Sequence, residues 1–140
     1  MLVAALDTSV VVSGIGWAGG AARQVMVLLA RRAFVSVRTA DLTAEWSSTI
    51  QELAQQESLW SNPNWAQWLD WVRRKSVLVT PSLLKPTVRR DPDDDVVLVA
   101  ALGARASYLV SYDRDLLDLR RPFGIQVIRP EVFVSRLLSF

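Results

Sequence analysis

Two short, unbroken apolar runs constrain the fold of this chain more than any other feature. Leu2-Val3-Ala4-Ala5-Leu6 lies near the start, and Tyr108-Leu109-Val110 lies within the strand expected over residues 107–111. A strand with one face in water alternates apolar and polar residues; a run apolar throughout is covered on both faces, as in the centre of a parallel sheet. Each run closes on an aspartate: Asp7 in Asp7-Thr8-Ser9, and Asp113 in Ser111-Tyr112-Asp113-Arg114-Asp115. Open α/β sheets bind ligands beyond the carboxyl ends of such strands, so both aspartates are candidate functional residues. The plainer reading of Asp7 is that it caps a following helix together with Thr8 and Ser9.

The segments between these runs read as helices and further strands. Val10-Val11-Val12 continues the first apolar stretch, and Gly14, Gly16, Gly19 and Gly20 mark a loop. Residues 20–32 have apolar positions Ala21, Val25, Leu28 and Leu29 at helical spacing, and residues 33–37 make a second strand. Thr39 or Asp41 then caps a helix over 42–56, with Glu45 in its first or second turn, where an anion near the helix N-terminus contributes ~0.3–1 kcal/mol. Ser61-Asn62-Pro63 is a helix-start signal with Pro at the first helical position, and the helix runs to about Lys75. Five of the six tryptophans fall between positions 46 and 71. They read first as a core stripe, with a partner-docking surface as the sharper alternative. Residues 77–80 form a short strand, 125–128 a last strand and 131–138 a final helix. The alternation predicts a single domain over residues 1–140, a three-layer α/β/α fold with a mostly parallel central sheet.

Chemistry is bounded by two absences. The 140 residues contain no cysteine and no histidine, which removes disulfides, thiolate sites, Ser-His-Asp mechanisms and imidazole ligands. Carboxylates, hydroxyls and arginines remain, and carboxylate oxygens suit hard ions such as Mg²⁺ and Mn²⁺. Arg90-Asp91-Pro92-Asp93-Asp94-Asp95 packs four of the fourteen acidic residues directly before an apolar helical run. Asp91 as N-cap, Pro92 at the first helical position and Asp93 in the first turn are explained as a helix start. Asp94 and Asp95 exceed what about half a positive charge at a helix end accommodates, and at least one of them borders the buried face. Asp7, Glu45, Asp94 or Asp95, and Asp113 then converge at one edge of a doubly wound sheet, where gathered carboxylates call for a cation. Fourteen of the sixteen basic residues are arginine, which suits phosphate, although a codon bias accounts for the same excess. No apolar run is long enough to span a membrane, and Asp7 interrupts the N-terminus with no basic region before it. A cytoplasmic location is therefore the expectation.

The ordered segments Leu6-Asp7-Thr8-Ser9-Val10, Thr43-Ala44-Glu45-Trp46, Arg90 to Asp95 with Ala100-Ala101, and Tyr108 to Leu117 resemble the motifs of the PIN domain. The group they resemble most is the toxin components of toxin–antitoxin systems, the VapC-like ribonucleases. The resemblance implies a Mg²⁺- or Mn²⁺-dependent ribonuclease with a four-acid site. Carried onto this sequence, it makes Asp7 and Asp113 metal ligands and Glu45 the completion of the negative pocket. The third acid is Asp94 or Asp95: spacing to Asp113 and the family's Asp-Asp-Asn pattern point to different members of the pair. Ser9 and Ser111 match polar positions that orient ligands or waters, and Asp115 matches a further acidic position near the metal. Ser9 departs from the asparagine common in this subgroup. The resemblance further implies an RNA substrate, a small antitoxin partner and a homodimer.

Three other readings compete. A haloacid-dehalogenase-type phosphoryl transfer enzyme needs an acid two residues after the first-strand aspartate, where this chain has Ser9. A response-regulator receiver needs a lysine late in the chain, and the last is Lys85. A catalytically silent PIN fold serving as a protein-interaction module is the alternative that the residues leave open.

Overall fold

The computed structural model describes residues 1–56, 60, 62–82 and 94–139, the side chains of Asp94 and Asp95 excepted. Five strands, β1 (Val3–Leu6), β2 (Val35–Arg38), β3 (Val77–Leu78), β4 (Tyr108–Val110) and β5 (Gln126–Ile128), form one sheet. Their order is β3-β2-β1-β4-β5, and every neighbouring pair is parallel. The two apolar runs of the sequence are therefore adjacent central strands, with Ala4 opposite Tyr108 and Leu6 opposite Val110. Ala4, Ala5 and Leu6 are fully buried, as a strand covered on both faces requires.

Among the described residues, seven α-helices flank the sheet: α1 (Thr8–Gly16), α2 (Ala21–Ala30), α3 (Ala40–Gln56), α4 (Trp65–Lys75), α5 (Asp94–Gly103), α6 (Arg114–Leu117) and α7 (Pro130–Leu138). α2 packs against α1, α4 and α7, while α5 lies against β1, β2, β4 and α3. This is the expected α/β/α arrangement. The core runs through both sides of the sheet, from Phe133 on α7, which meets Phe34 and Tyr108 edge to face at 4.9 and 5.8 Å, to Leu98 on α5. No helix among the described residues is long and apolar enough to cross a membrane.

Strand order turns at β1. The chain moves to β2 and β3 on one side and to β4 and β5 on the other, which opens a crevice between the carboxyl ends of β1 and β4. Asp7 and Asp113 border it. α1 and α3 leave the sheet at this edge, directly after β1 and β2. α5 also begins here, because it must run back to the start of β4.

The structure corrects the reading of residues 10–20. Val10, Val11 and Val12 do not extend the strand, and Gly14 and Gly16 do not form a loop; all lie in α1. Gly14 is where α2 crosses closely: an added Cβ there would sit 2.7 Å from Met26 Cγ and 2.8 Å from the Ala22 carbonyl oxygen. The valines are buried by tertiary packing that overrides their weak helix preference. The carbonyls at the end of α1 are satisfied by side chains. Arg23 donates to Gly14 O at 2.6 Å and to Ile15 O at 3.2 Å, and Asn62 Nδ2 donates to Ile15 O at 2.9 Å.

Two smaller differences follow the same logic. The leucine-rich segment after Asp113, which the sequence reads as a turn, coils into α6. The helix expected to open at Pro63 opens at Trp65 instead, because Asn62 Oδ1 accepts the Asn64 N–H at 2.9 Å and holds Pro63 in a turn. Thr39, not Asp41, caps α3, its hydroxyl accepting the Leu42 N–H at 3.1 Å. The aromatic stretch divides: Trp46 is fully buried, whereas Trp60, Trp65, Trp68 and Trp71 are only partly covered. The proposed helix start at Asp91, Pro92 and Asp93 lies outside the described residues.

Candidate active site

The turn after β1 places Asp7 at the N-cap position of α1, yet its carboxylate makes no capping bond. Hydroxyls from the two turns flanking the crevice hold it instead. Ser111 donates to Asp7 Oδ2 at 2.7 Å, and Ser9 donates to the same oxygen at 2.9 Å. The two serines also lock the β1 and β4 turns together, because Ser9 Oγ accepts the Tyr112 N–H at 3.2 Å and Ser111 Oγ accepts the Asp113 N–H at 2.9 Å. Asp7 retains 7% of its exposure and Ser111 none, so this is an interior polar network rather than a surface one.

Electrostatics set Asp7 apart. Burial pushes its carboxyl above the ordinary aspartate value, against the lowering effect of the Ser111 and Ser9 hydroxyls and of the Thr8 backbone, and the Asp113 charge adds to the rise. Asp113 itself is half-buried and caps α6, accepting the Asp115 N–H at 2.9 Å. Asp115 is half-buried in the first turn of that helix.

Glu45 reaches the crevice from α3. Its Oε2 accepts the Thr8 hydroxyl in a short hydrogen bond. The neighbouring Trp46 fixes this placement: fully buried, it donates from Nε1 to the Leu6 carbonyl at 3.3 Å, pinning α3 to the end of β1. Thr8 and Trp46 are the positioning residues that sequence reasoning missed. Their only signal was adjacency to Asp7 and Glu45.

The structure thus brings together Asp7, Ser9, Ser111 and Asp113, and ties Glu45 to them through Thr8. The side chains of Asp94 and Asp95 lie outside the described atoms, although α5 starts at the same sheet edge. Among the described residues, no group of three or more Asp or Glu side chains is close enough to hold a metal ion. The donor chemistry nevertheless fits a hard divalent cation. A buried carboxyl raised by desolvation and by a second carboxylate favours a bound positive charge, and its oxygens suit Mg²⁺ or Mn²⁺.

A family model described as the PIN domain matches residues 4–115, which span every element from β1 into α6. The chain belongs to the PIN domain family. PIN domains are generally nucleases, and those nucleases generally use divalent metals. The crystal structure of PAE2754 from Pyrobaculum aerophilum superposes with a TM-score of 0.66 at 17% identity, covering 99% of this chain and 91% of that one. At that identity the likeness concerns the fold. Comparison with curated proteins gives no significant match. Within the PIN domain of this chain, the crevice between β1 and β4 is where the fold and the buried carboxylate coincide.

Proposed function

We propose that this PIN domain is a Mg²⁺- or Mn²⁺-dependent endoribonuclease, cytoplasmic and acting as the toxin of a toxin–antitoxin pair. The observation that carries the nuclease reading is Asp7: a buried carboxyl at the switch point of the sheet, raised by desolvation and by Asp113, and held by two hydroxyls instead of a counter-charge. A carboxylate placed at that cost in a crevice is a functional group rather than a stabilising one. The toxin role, the small antitoxin and the homodimer rest on the resemblance of the sequence motifs.

Asp7 and Asp113 would hold the cation, with Asp94 or Asp95 from the start of α5 as the third acid and Glu45 completing the negative pocket. A divalent cation held by these residues would supply Lewis acidity toward the scissile phosphate and ease deprotonation of the attacking water near neutral pH. Ser9 and Ser111 fix the rotamer of Asp7 by donating to one oxygen, which directs the carboxylate into the crevice. Thr8 does the same for Glu45. Asp115 anchors the turn that presents Asp113, through its backbone N–H.

The test is RNA cleavage by purified protein with Mg²⁺ or Mn²⁺, with excess chelator, and by Asp7→Asn and Asp113→Asn. Cleavage only with metal, and none above background in either variant while both remain folded, is the expected result. Cleavage that persists in chelator, or survives both substitutions, contradicts the reading. A folded parent with no cleavage under any metal favours the silent interaction module.

A further inference from the structure

A second cleft lies beside the acidic crevice, between α3 and α4. Thr43 and Ser47, one turn apart on α3, form one wall, and Trp65, Leu69 and Arg73, each one turn apart on α4, form the other. Arg38, the last residue of β2, closes its inner end. The cleft encloses about 610 Å³, within the range of roughly 300–1,000 Å³ typical of small-ligand pockets. Cleft and crevice lie at the same, carboxyl edge of the sheet, because Arg38 ends β2 and Asp7 follows β1, its parallel neighbour. Glu45 leaves the opposite face of α3 from Thr43 and Ser47 and reaches Thr8 beside Asp7.

Arg38 is the unusual group. It is half-buried, and its guanidinium donates only to neutral acceptors, to the Arg73 carbonyl from Nε and to the Thr43 hydroxyl from Nη1, both at 3.1 Å. Among the described residues no carboxylate pairs with it. Burial and the neighbouring Arg73 both push its guanidinium below the ordinary value. The single acid on this wall, Asp70, is already shared by Arg73 at 2.8 Å and Arg74 at 3.0 Å. Two guanidinium groups, Arg38 and Arg73, line the cleft against the one carboxylate of Asp70, whose charge Arg74 also shares from outside it.

We infer that the α3–α4 cleft is a nucleotide subsite for the RNA strand flanking the cleaved bond, in which Trp65 stacks on a base and Arg38 and Arg73 hold a phosphate. The inference rests on the ribonuclease reading of the adjacent crevice and names where its substrate is gripped. Half-exposed Trp65 offers a π-face, and arginines with hydroxyls along a groove are the means by which single strands are held without a fixed sequence. Two arginines beside an aromatic face in an otherwise largely apolar groove favour a phosphate-bearing nucleotide over a wholly apolar protein segment.

The experiment measures binding of a short fluorescein-labelled oligoribonucleotide of mixed sequence by anisotropy, in excess chelator, across a salt series. Parent, Arg38→Gln, Trp65→Leu and Trp65→Phe are compared, each checked for an unchanged melting temperature. Trp65→Leu keeps apolar bulk without the π-face and is expected to weaken binding roughly tenfold, while Trp65→Phe stays near the parent. Arg38→Gln is expected to lower the salt dependence by about one phosphate contact; should it fail to fold, the Leu and Phe pair at position 65 still decides. Variants that bind like the parent overturn the subsite, and if the parent cleaves RNA meanwhile, the ribonuclease reading stands alone. A parent that binds no RNA also overturns the subsite. A parent that binds through the cleft but cleaves nothing with metal upholds the subsite and overturns the ribonuclease reading.

Discussion

The turns after β1 and β4 have the same plan, a buried strand ending in an aspartate that starts a helix, but they use the aspartate differently. Asp113 accepts the Asp115 N–H and so caps α6 in the ordinary manner. Asp7 occupies the equivalent position before α1 without a capping bond, and holds Ser9 and Ser111 on one oxygen. A structural role is sufficient for Asp113 and insufficient for Asp7, whose burial raises its carboxyl without a compensating charge. The lesson is that placement at a strand end does not separate function from capping; the partners of the carboxylate do.

Substitutions at three positions sharpen or break that contrast. The largest effect on stability is expected at Ser111, fully buried and bonded to both turns. Ser111→Ala strands the Asp113 N–H and leaves Asp7 Oδ2 with the Ser9 hydroxyl alone, and urea unfolding should show a loss of about 1–3 kcal/mol. A loss near zero breaks the claim that the two turns are locked together. Next comes the cap: Asp113→Ala should cost about 1 kcal/mol, whereas Asp113→Asn, itself a good cap, should keep the stability and still lose cleavage. Equal stability of the two would remove the capping role.

The effect at the third position changes sign. The unfolded chain ionises Asp7 near the ordinary value of about 3.9, and the folded protein does so only at higher pH. Between those values the folded state binds more protons, so stability falls as pH rises through that window, and the loss is complete above the folded value. Asp7→Asn carries no such loss. In chelator it should therefore melt above the parent at neutral pH, with the gain vanishing as pH falls to about 3.9. A variant that melts lower at neutral pH would assign Asp7 a structural role like that of Asp113.

The central strands, both aspartates and the three-layer architecture were legible because a continuous apolar run ending in a charge has few other placements. α1 was not, because Val10-Val11-Val12 carries strand preference and Gly14 looks like a breaker. Only the approach of α2, invisible in sequence, explains why a glycine sits inside that helix. Glu45 was legible through its motif, but the reason it faces the crevice, Trp46 anchored to the Leu6 carbonyl, is a tertiary contact spanning forty residues. The positive cleft was missed for a similar reason. Arg38 and Arg73 lie 35 residues apart, and nothing in the sequence joins them.

The most direct test of the account is calorimetric titration of Mn²⁺ into the parent and into Asp7→Asn at neutral pH. The account predicts binding to the parent, because a buried carboxylate without a counter-charge gains a cation there, and binding abolished in the variant. Equal binding to both proteins, or none to the folded parent, would contradict it.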